Sequence, residues 1–158
     1  MVRKETTEDV ASIGSETEKE LLAHPEPMHR LFELCPIAML LHHRRIVRYA
    51  NPASVALFGA NSPADIIGMQ VLDLVHSEFR VVVMERVQQS FNSGTPAQVL
   101  EEVLIKIDGT SFHAEVSAFP VPFEGDTAMF VMARDVTERR MIERAVARSE
   151  ERLQLALE

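Results

Sequence analysis

The segment 111–118, with the sequence SFHAEVSA, alternates between polar and apolar residues, and no other feature constrains the fold as strongly. Its apolar positions are Phe112, Ala114, Val116 and Ala118. Because successive side chains of a β-strand point to opposite faces of the sheet, this alternation predicts a strand with one buried face and one solvated face. The strand therefore belongs to an antiparallel sheet that other elements cover on one side only.

Four other segments have the composition of strands. AQVLEEVLIKI lies before the alternating strand, and the intervening Asp108 and Gly109 predict a hairpin turn. TAMFVMARD follows it after the turn sequence EGD. Near the start, IAMLLHH and IVRYA flank a polar pair of arginines and predict a first hairpin. This hairpin must join the last three strands to form one five-stranded antiparallel sheet.

The residues between the second and third predicted strands carry helix signals. Asn51 is a natural N-cap with Pro52 at the first helical position, and Asp73 is a second predicted cap. A longer helix is predicted from Ser77, because apolar residues recur there on one face. They are Phe79, Val83, Val87 and Phe91. The predicted fold class is α+β, with the inserted helices covering one face of the sheet.

The chain divides into three predicted parts. Residues 1–27 are acidic and poor in large apolar side chains, so a flexible or helical N-terminal segment is expected. Residues 28–136 carry the predicted domain. Residues 137–158 are rich in charge and are expected to form a helix that links to a downstream domain missing from this chain.

Composition narrows the location and the partners. The formal net charge of -8 argues against a nucleic-acid groove and against contact with an anionic membrane surface. The one cysteine, Cys35, cannot form an intrachain disulfide, and no apolar run reaches the length of a membrane span. A cytoplasmic location is therefore expected.

Four motifs follow one another along the chain. They are YANPASVALFG at 49–59, Gly68 with Asp73, Leu74 and His76, KIDGTSFHAEVS at 106–117, and RDVTERR at 134–140. Together with the order of strands and helices, they resemble a PAS domain, the sensory box of bacterial multidomain signalling receptors, over residues 28–137. The resemblance implies a small cavity between sheet and helices, in a domain that senses a ligand, cofactor or partner for an attached output domain.

The cavity residues implied by strand parity and by similarity to the family's cavity are mostly apolar. They are Phe79, Val83, Val103, Ile105, Val116, Ala118, Met129 and Val131. Ordinary core packing is the alternative for each of them. Glu101 shares the parity of Val103 and Ile105, so it either lies at the wet end of the strand or hydrogen-bonds a polar group of a ligand.

The RDVTERR motif places Asp135 and Thr137 where the last strand passes into the terminal helix. By resemblance these residues relay the signal; the alternative is that they only cap the helix. Apolar and small residues then follow at alternating spacings of four and three. They are Ile142, Val146, Ser149, Leu153 and Ala156. This pattern predicts a weak parallel coiled coil and a homodimer, and the alternative is a solvated helix packed on its own sheet.

No segment carries a catalytic signature, so the chain is not expected to be an enzyme, and any catalytic output is expected in an absent domain. The six histidines lack metal-ligand spacing and are expected at the surface or at strand edges, with no metal site. By resemblance, a haem sensor has its axial histidine where Val83 stands, and a photoactive flavin domain has a cysteine where IIGMQVLDLV has none. Flavin redox sensors typically use a tryptophan, which this chain lacks. The cofactor stays unknown, and these haem and flavin-adduct chemistries are argued against.

The sequence thus predicts a sensory domain that dimerises and relays a signal from a small apolar ligand or a partner to an attached output domain. One alternative keeps the fold and makes the domain a ligand-free dimerisation and transmission spacer. A remote alternative is a small α+β cavity enzyme, for which Glu101 is the one titratable candidate.

Overall fold

The computed structural model describes residues 25–158, which fall into two units. The described part of the first unit is helix α1 (Pro25–Leu34), which stops just before Pro36. The predicted N-terminal segment 1–27 lies outside the described residues, except for the three residues that begin α1.

The second unit begins at Pro36 and contains one sheet and three helices of more than one turn. The strands are β1 (Ala38–His43), β2 (Ile46–Ala50), β3 (Leu100–Ile105), β4 (Ser111–Phe123) and β5 (Asp126–Asp135). The helices are α2 (Pro52–Leu57), α3 (Arg80–Ser93) and α4 (Thr137–Leu157). All neighbouring strands are antiparallel, in the order β2-β1-β5-β4-β3. The predicted α+β fold, with helices inserted between the second and third strands, is confirmed.

Strand β1 joins the first hairpin to the last three strands. It pairs with β5, which places Leu40 opposite Val131 and Ala38 opposite Ala133. The inward side chains of these strands pack against the helical layer, where Phe58, Ile66 and Leu74 form the buried core. On the second face of the sheet, predicted to be solvated, the side chains of β4 are half-buried, whereas those of the first face are buried.

The turn of the first hairpin has an unusual backbone. Arg44 and Arg45 have φ angles of 51° and 67°, so both lie in the left-handed region. That conformation suits the twist of a two-residue hairpin, but for a residue other than glycine it is unfavourable by roughly 1–2 kcal/mol. In the β3–β4 turn the same kind of position, with a φ of 87°, is filled by Gly109, where this cost does not arise.

Asn51 joins the start of α2 to β1. Its Oδ1 accepts hydrogen bonds from the backbone N–H of Ser54 at 3.0 Å and of Met39 at 2.8 Å, and its Nδ2 donates to the carbonyl of Ile37 at 2.9 Å. The side chain is fully buried. Asn51 thus caps α2 and also hydrogen-bonds α2 to the start of β1.

The predicted cap at Asp73 is wrong. Asp73 lies inside a short 3-10 turn (Val71–Leu74) whose N-cap is Gln70. The following turn (Ser77–Phe79) is capped by His76, whose side chain accepts the N–H of Glu78. Both turns begin away from Asp73, so its exposed carboxylate caps none of the described helices.

Helix α4 continues from β5 and has no buried residue. Its predicted seam residues Ile142, Val146 and Leu153 are 58%, 51% and 63% exposed. The alternative of a helix packed along its own sheet is therefore wrong beyond the first turns. Among residues 25–158, no helix combines the length and apolar character that a bilayer span requires.

Candidate functional site

A cavity of about 100 Å³ lies between the sheet and the helical layer of the second unit. Most of its lining is aliphatic, with Leu40, Leu74, Val75, Val83, Leu104, Val116, Ala118, Val131 and Ala133 among the contributing residues. Five polar residues also line it. They are His42, Arg45, Arg86, Gln88 and Glu102. The site is thus an apolar chamber with a small number of polar groups, the usual composition of a small-molecule site.

Four of the predicted cavity residues lie in this lining, namely Val83, Val116, Ala118 and Val131. Phe79 packs against the core but does not line the cavity. Met129 is buried and lines a separate outer depression instead.

The predicted parity of β3 is wrong by one residue. Glu101, Val103 and Ile105 do not line the cavity, whereas their neighbours Glu102 and Leu104 do. The hairpin with β4 sets this phase, because it pairs Glu102 with Ala114 and Leu104 with Phe112, whose side chains are buried. The strand register that the β3–β4 turn imposes was the signal from which the inward residues of β3 could have been predicted.

Glu102 forms a buried ion pair with Arg86 of α3. Arg86 Nη2 donates to Glu102 Oε1 at 2.6 Å, and the two side chains are 11% and 1% exposed. Arg86 Nη1 also donates to the carbonyl of Gln98 at 3.0 Å. Burial raises the pKa of the Glu102 carboxyl, and the charge and hydrogen bond of Arg86 oppose that rise. This pair links α3 to β3 across the cavity wall.

His42 contradicts the prediction that all histidines lie at the surface or at edges. It is only 5% exposed, and its Nδ1 has no hydrogen-bond partner. Burial, with a smaller effect from His43, lowers its pKa from 6.5 to about 4, so the imidazole is neutral at neutral pH. His43 points to the other face and contacts Asp126 Oδ2 at 2.8 Å. The two histidines point to opposite faces of the sheet, as the sequence predicts. The burial of His42 was not predicted.

An outer depression of about 260 Å³ lies at the end of the first hairpin and shares four lining residues with the cavity. His42, Arg45, Val87 and Gln88 line both spaces, and we call these four residues the neck. The outer depression is otherwise lined by Arg44, Phe91, Asp126, Thr127 and Met129.

The predicted relay residues lie at the junction of β5 and α4. Asp135 Oδ1 accepts the N–H of Thr137 at 2.8 Å, so it satisfies a donor at the start of the helix. The Thr137 hydroxyl instead accepts the N–H of His113 in β4 at 3.3 Å, and the N–H of Val136 donates to the carbonyl of His113. Thr137 therefore ties the helix to the sheet and does not cap it.

A cluster of charges at the same junction was missed from the sequence. The carboxylate of Glu101 accepts hydrogen bonds from Arg139 and Arg140 of α4, each at 2.5 Å. Glu115 of β4 contacts Arg139 at 3.7 Å. The hydrogen bond from Arg140 is the main cause that holds the pKa of Glu101 below its ordinary value. We call Glu101, Glu115, Arg139 and Arg140 the junction cluster.

Two observations on these side chains concern metal and haem binding. Among the residues that the structure describes, no group of three His, Cys, Asp or Glu side chains is arranged to hold a metal ion. Val83, where the haem sensors of the resemblance have a histidine, lines the cavity with an aliphatic side chain.

One family profile and one curated protein match this chain. A family profile described as PAS domain matches residues 34–138. Sporulation kinase A of Bacillus subtilis is 26% identical over 129 residues, which is 82% of this chain and 21% of that protein. The chain thus spans about a fifth of the length of this curated relative.

Solved structures of two PAS domains have the same fold. One, from Colwellia psychrerythraea, has a TM-score of 0.64 at 18% identity and covers 72% of this chain and 97% of its own. The other belongs to a transcriptional regulator in the LuxR family from Burkholderia thailandensis, in complex with ethanol. Its TM-score is 0.56 at 19% identity, with coverage of 68% of this chain and 96% of its own.

Proposed function

This chain belongs to the PAS domain family, whose members are sensory domains of signal-transduction proteins, and on that premise we propose that it senses a small molecule in its cavity and relays the change through α4 to an output domain. The observation that carries the proposal is the position of β3 between the two sites. Glu102 of this strand lines the cavity and binds Arg86, and Glu101 contacts α4.

The cavity supports the ligand part of this proposal. Its volume of about 100 Å³ is somewhat smaller than the volume of about 150 Å³ of a cavity that accepts benzene. The Burkholderia thailandensis PAS domain is described with ethanol, a ligand small enough for such a space. The proposed ligand-binding side chains are those that line this cavity, with Val83, Val116, Ala118 and Val131 in common with the sequence prediction.

The relay is proposed to run through the junction cluster together with Asp135 and Thr137. A ligand changes the output only if it binds one arrangement of β3 and α4 more tightly than another. A ligand that alters the Arg86–Glu102 pair acts on the same strand that carries Glu101, so the position of this strand is shared by both sites.

Dimerisation is proposed to occur through α4, with a second copy of the chain as the partner. The exposed seam residues Ile142, Val146 and Leu153 support a parallel coiled coil, which would lead into the downstream effector domain. We place the domain in the cytoplasm, without nucleic acid or membrane contact, and any catalytic output in another domain of the receptor.

A native mass spectrum and an absorption spectrum of the freshly purified chain test the ligand part. A bound species of added mass supports sensing, and an absorption band identifies a chromophoric cofactor. Bare mass, together with an unchanged melting temperature across a metabolite panel, contradicts sensing and favours the ligand-free spacer, because a ligand that binds only the folded state raises its stability.

A further inference from the structure

The cavity and the outer depression share the four neck residues, and the two spaces differ in polarity. Inside, the two charged side chains Arg86 and Glu102 neutralise each other. Outside, Arg44 and Arg45 are both exposed, and Asp126 contacts only the first of them, at 3.3 Å, together with His43. A ligand that spans the neck therefore meets an apolar chamber at one end and an excess of positive charge at the other.

Arg45 is held at this position by its backbone. Its left-handed conformation, with a φ of 67°, is maintained by the carbonyl of Arg45, which accepts the N–H of Val71 at 2.7 Å. Val71 itself lines the cavity. Within residues 25–158 the guanidinium of Arg45 makes no ion pair, so its charge is available to a ligand. Strained backbone of this kind persists where the surroundings hold it, and it is frequent at binding sites.

The position of a negative charge on the ligand follows from these groups. A carboxylate deep in the chamber would lie near Glu102, in surroundings that penalise a charge. At the neck it would instead meet the exposed Arg45, next to the imidazole of His42, which also lines both spaces. A charge-assisted hydrogen bond at the neck is therefore favourable, and burial of the charge is avoided.

We propose that the ligand is a short-chain aliphatic monocarboxylate, with its hydrocarbon chain in the cavity and its carboxylate at the neck beside Arg45 and His42. The volume of about 100 Å³ holds about four carbons on the scale of the benzene-binding cavity. An acid of five or six carbons therefore fits if its carboxyl carbon, and in the six-carbon acid also the adjacent carbon, lies at the neck. This inference rests on the proposed function, because it assigns a ligand class to the same cavity.

Hexanoate is the probe, with hexan-1-ol as its uncharged counterpart and acetate as the acid without a chain. Isothermal titration calorimetry and thermal unfolding of the whole chain at neutral pH should show saturable binding of hexanoate. We expect hexan-1-ol and acetate to bind at least about fivefold more weakly, since each lacks one of the two contacts.

Arg45→Asn and Arg44→Asn form a matched pair of variants. Both remove one positive charge from the same turn, and asparagine tolerates the left-handed backbone at both positions. Only Arg45 lines the cavity. We expect hexanoate affinity to fall about five- to tenfold in Arg45→Asn and to change less than twofold in Arg44→Asn. An equal loss in both variants would mean that the charge acts at a distance, and would overturn the placement of the carboxylate.

Nuclear Overhauser effects from the hexanoate methyl group to the methyl groups of Val83 and Val116 test the placement of the chain without any substitution. Contacts to these residues support it, and contacts confined to the surface overturn it. Binding of hexan-1-ol as tight as that of hexanoate overturns the carboxylate class and leaves cavity sensing intact. Binding of none of the probes, with a purified chain at bare mass, contradicts both this inference and the sensing part of the proposed function.

Discussion

Glu101 and Glu102 are consecutive residues of β3 whose carboxylates lie on opposite faces of the sheet. Glu102 binds Arg86 in the wall of the cavity, and Glu101 binds Arg139 and Arg140 at the start of α4. The alternation of side chains along a strand produces this arrangement without any additional element. One peptide unit thus separates the proposed ligand site from the helix that is proposed to carry the signal.

Removal of one partner of the Arg86–Glu102 pair is predicted to destabilise the protein strongly, whereas replacement of both partners by apolar residues is predicted to change its stability little. Glu102→Ala leaves Arg86 buried without its counter-ion, so we expect the free energy of unfolding to fall by about 3–5 kcal/mol. The double variant Arg86→Met/Glu102→Leu removes both charges and should recover most of that loss. Urea denaturation of the three proteins measures the difference. A double variant as unstable as Glu102→Ala would contradict this assignment.

The junction cluster is predicted to control the first turn of α4 and not the core. Glu101→Gln should change the free energy of unfolding by less than about 1 kcal/mol, because its ion pairs are partly exposed. Hydrogen exchange of the amides of residues 139–142 should nevertheless become faster.

Glu143→Gln is the matched control for that variant. Like Glu101→Gln, it removes one negative charge, here from α4. Glu143 contacts Arg139 at 3.7 Å, but this contact is exposed. Equal exchange rates in Glu101→Gln and Glu143→Gln would show that Glu101 does not hold the helix.

His42 is predicted to make the protein less stable as the pH falls. Its folded pKa, about 4, lies below the ordinary value of 6.5, so the unfolded chain binds a proton first. The contribution is fully present above pH 6.5 and is lost towards pH 4, with a size of up to about 3 kcal/mol. Denaturation at several pH values should show a shallower decline for His42→Leu than for the parent chain.

The exposed His29→Gln is the control for this pH dependence. Other acidic groups contribute equally to the parent chain and to both variants, so the comparison isolates His42. The same slope in all three proteins would refute the assignment of the decline to this side chain.

Asn51 is predicted to be one of the most sensitive polar positions. Asn51→Ala removes the bonds to Met39, Ser54 and Ile37, and it leaves the buried N–H of Ser54 and the part-buried groups of Met39 and Ile37 without this partner. We expect a loss of about 2–4 kcal/mol, well above that of an ordinary helix cap. Ser62→Ala, at the start of an exposed 3-10 turn, should cost less than about 1 kcal/mol in the same denaturation assay.

The exposed seam of α4 is predicted to mediate dimerisation. Val146→Asp places a charge on the seam and should shift sedimentation equilibrium towards the monomer without lowering the melting temperature of the monomeric domain. Ala147→Asp introduces the same charge at the neighbouring exposed position, off the seam, and should leave the association unchanged. Similar behaviour of the two variants would count against the coiled coil.

Local patterns were sufficient to predict the sheet, the inserted helices and the cap at Asn51. The alternation in segment 111–118 and the glycine at position 109 have a local physical cause, since each depends on the geometry of a single strand or turn. Strand and helix periodicity, together with the resemblance to the PAS cavity, predicted Val83, Val116, Ala118 and Val131, which do line the cavity.

Strand β3 shows where such reasoning stops. Apolar residues occur on both of its faces, with Leu104 between Val103 and Ile105, so its sequence alone does not select the inward set. The pairing with β4 selects it, and a shift of one residue exchanges Glu101 with Glu102. Which carboxylate enters the cavity, and which binds α4, is therefore decided by tertiary structure.

The amino-acid sequence by itself thus determined the order, type and approximate limits of the elements, because these follow from local periodicity and turn chemistry. The tertiary structure alone decided the burial of His42, the Arg86–Glu102 pair and the junction cluster. Arg86 and Glu102 are 16 residues apart, and Glu101 and Arg140 are 39 apart. Charges so distant along the chain come together only when the sheet register and the helix direction place them side by side. A local sequence pattern therefore does not predict these ion pairs.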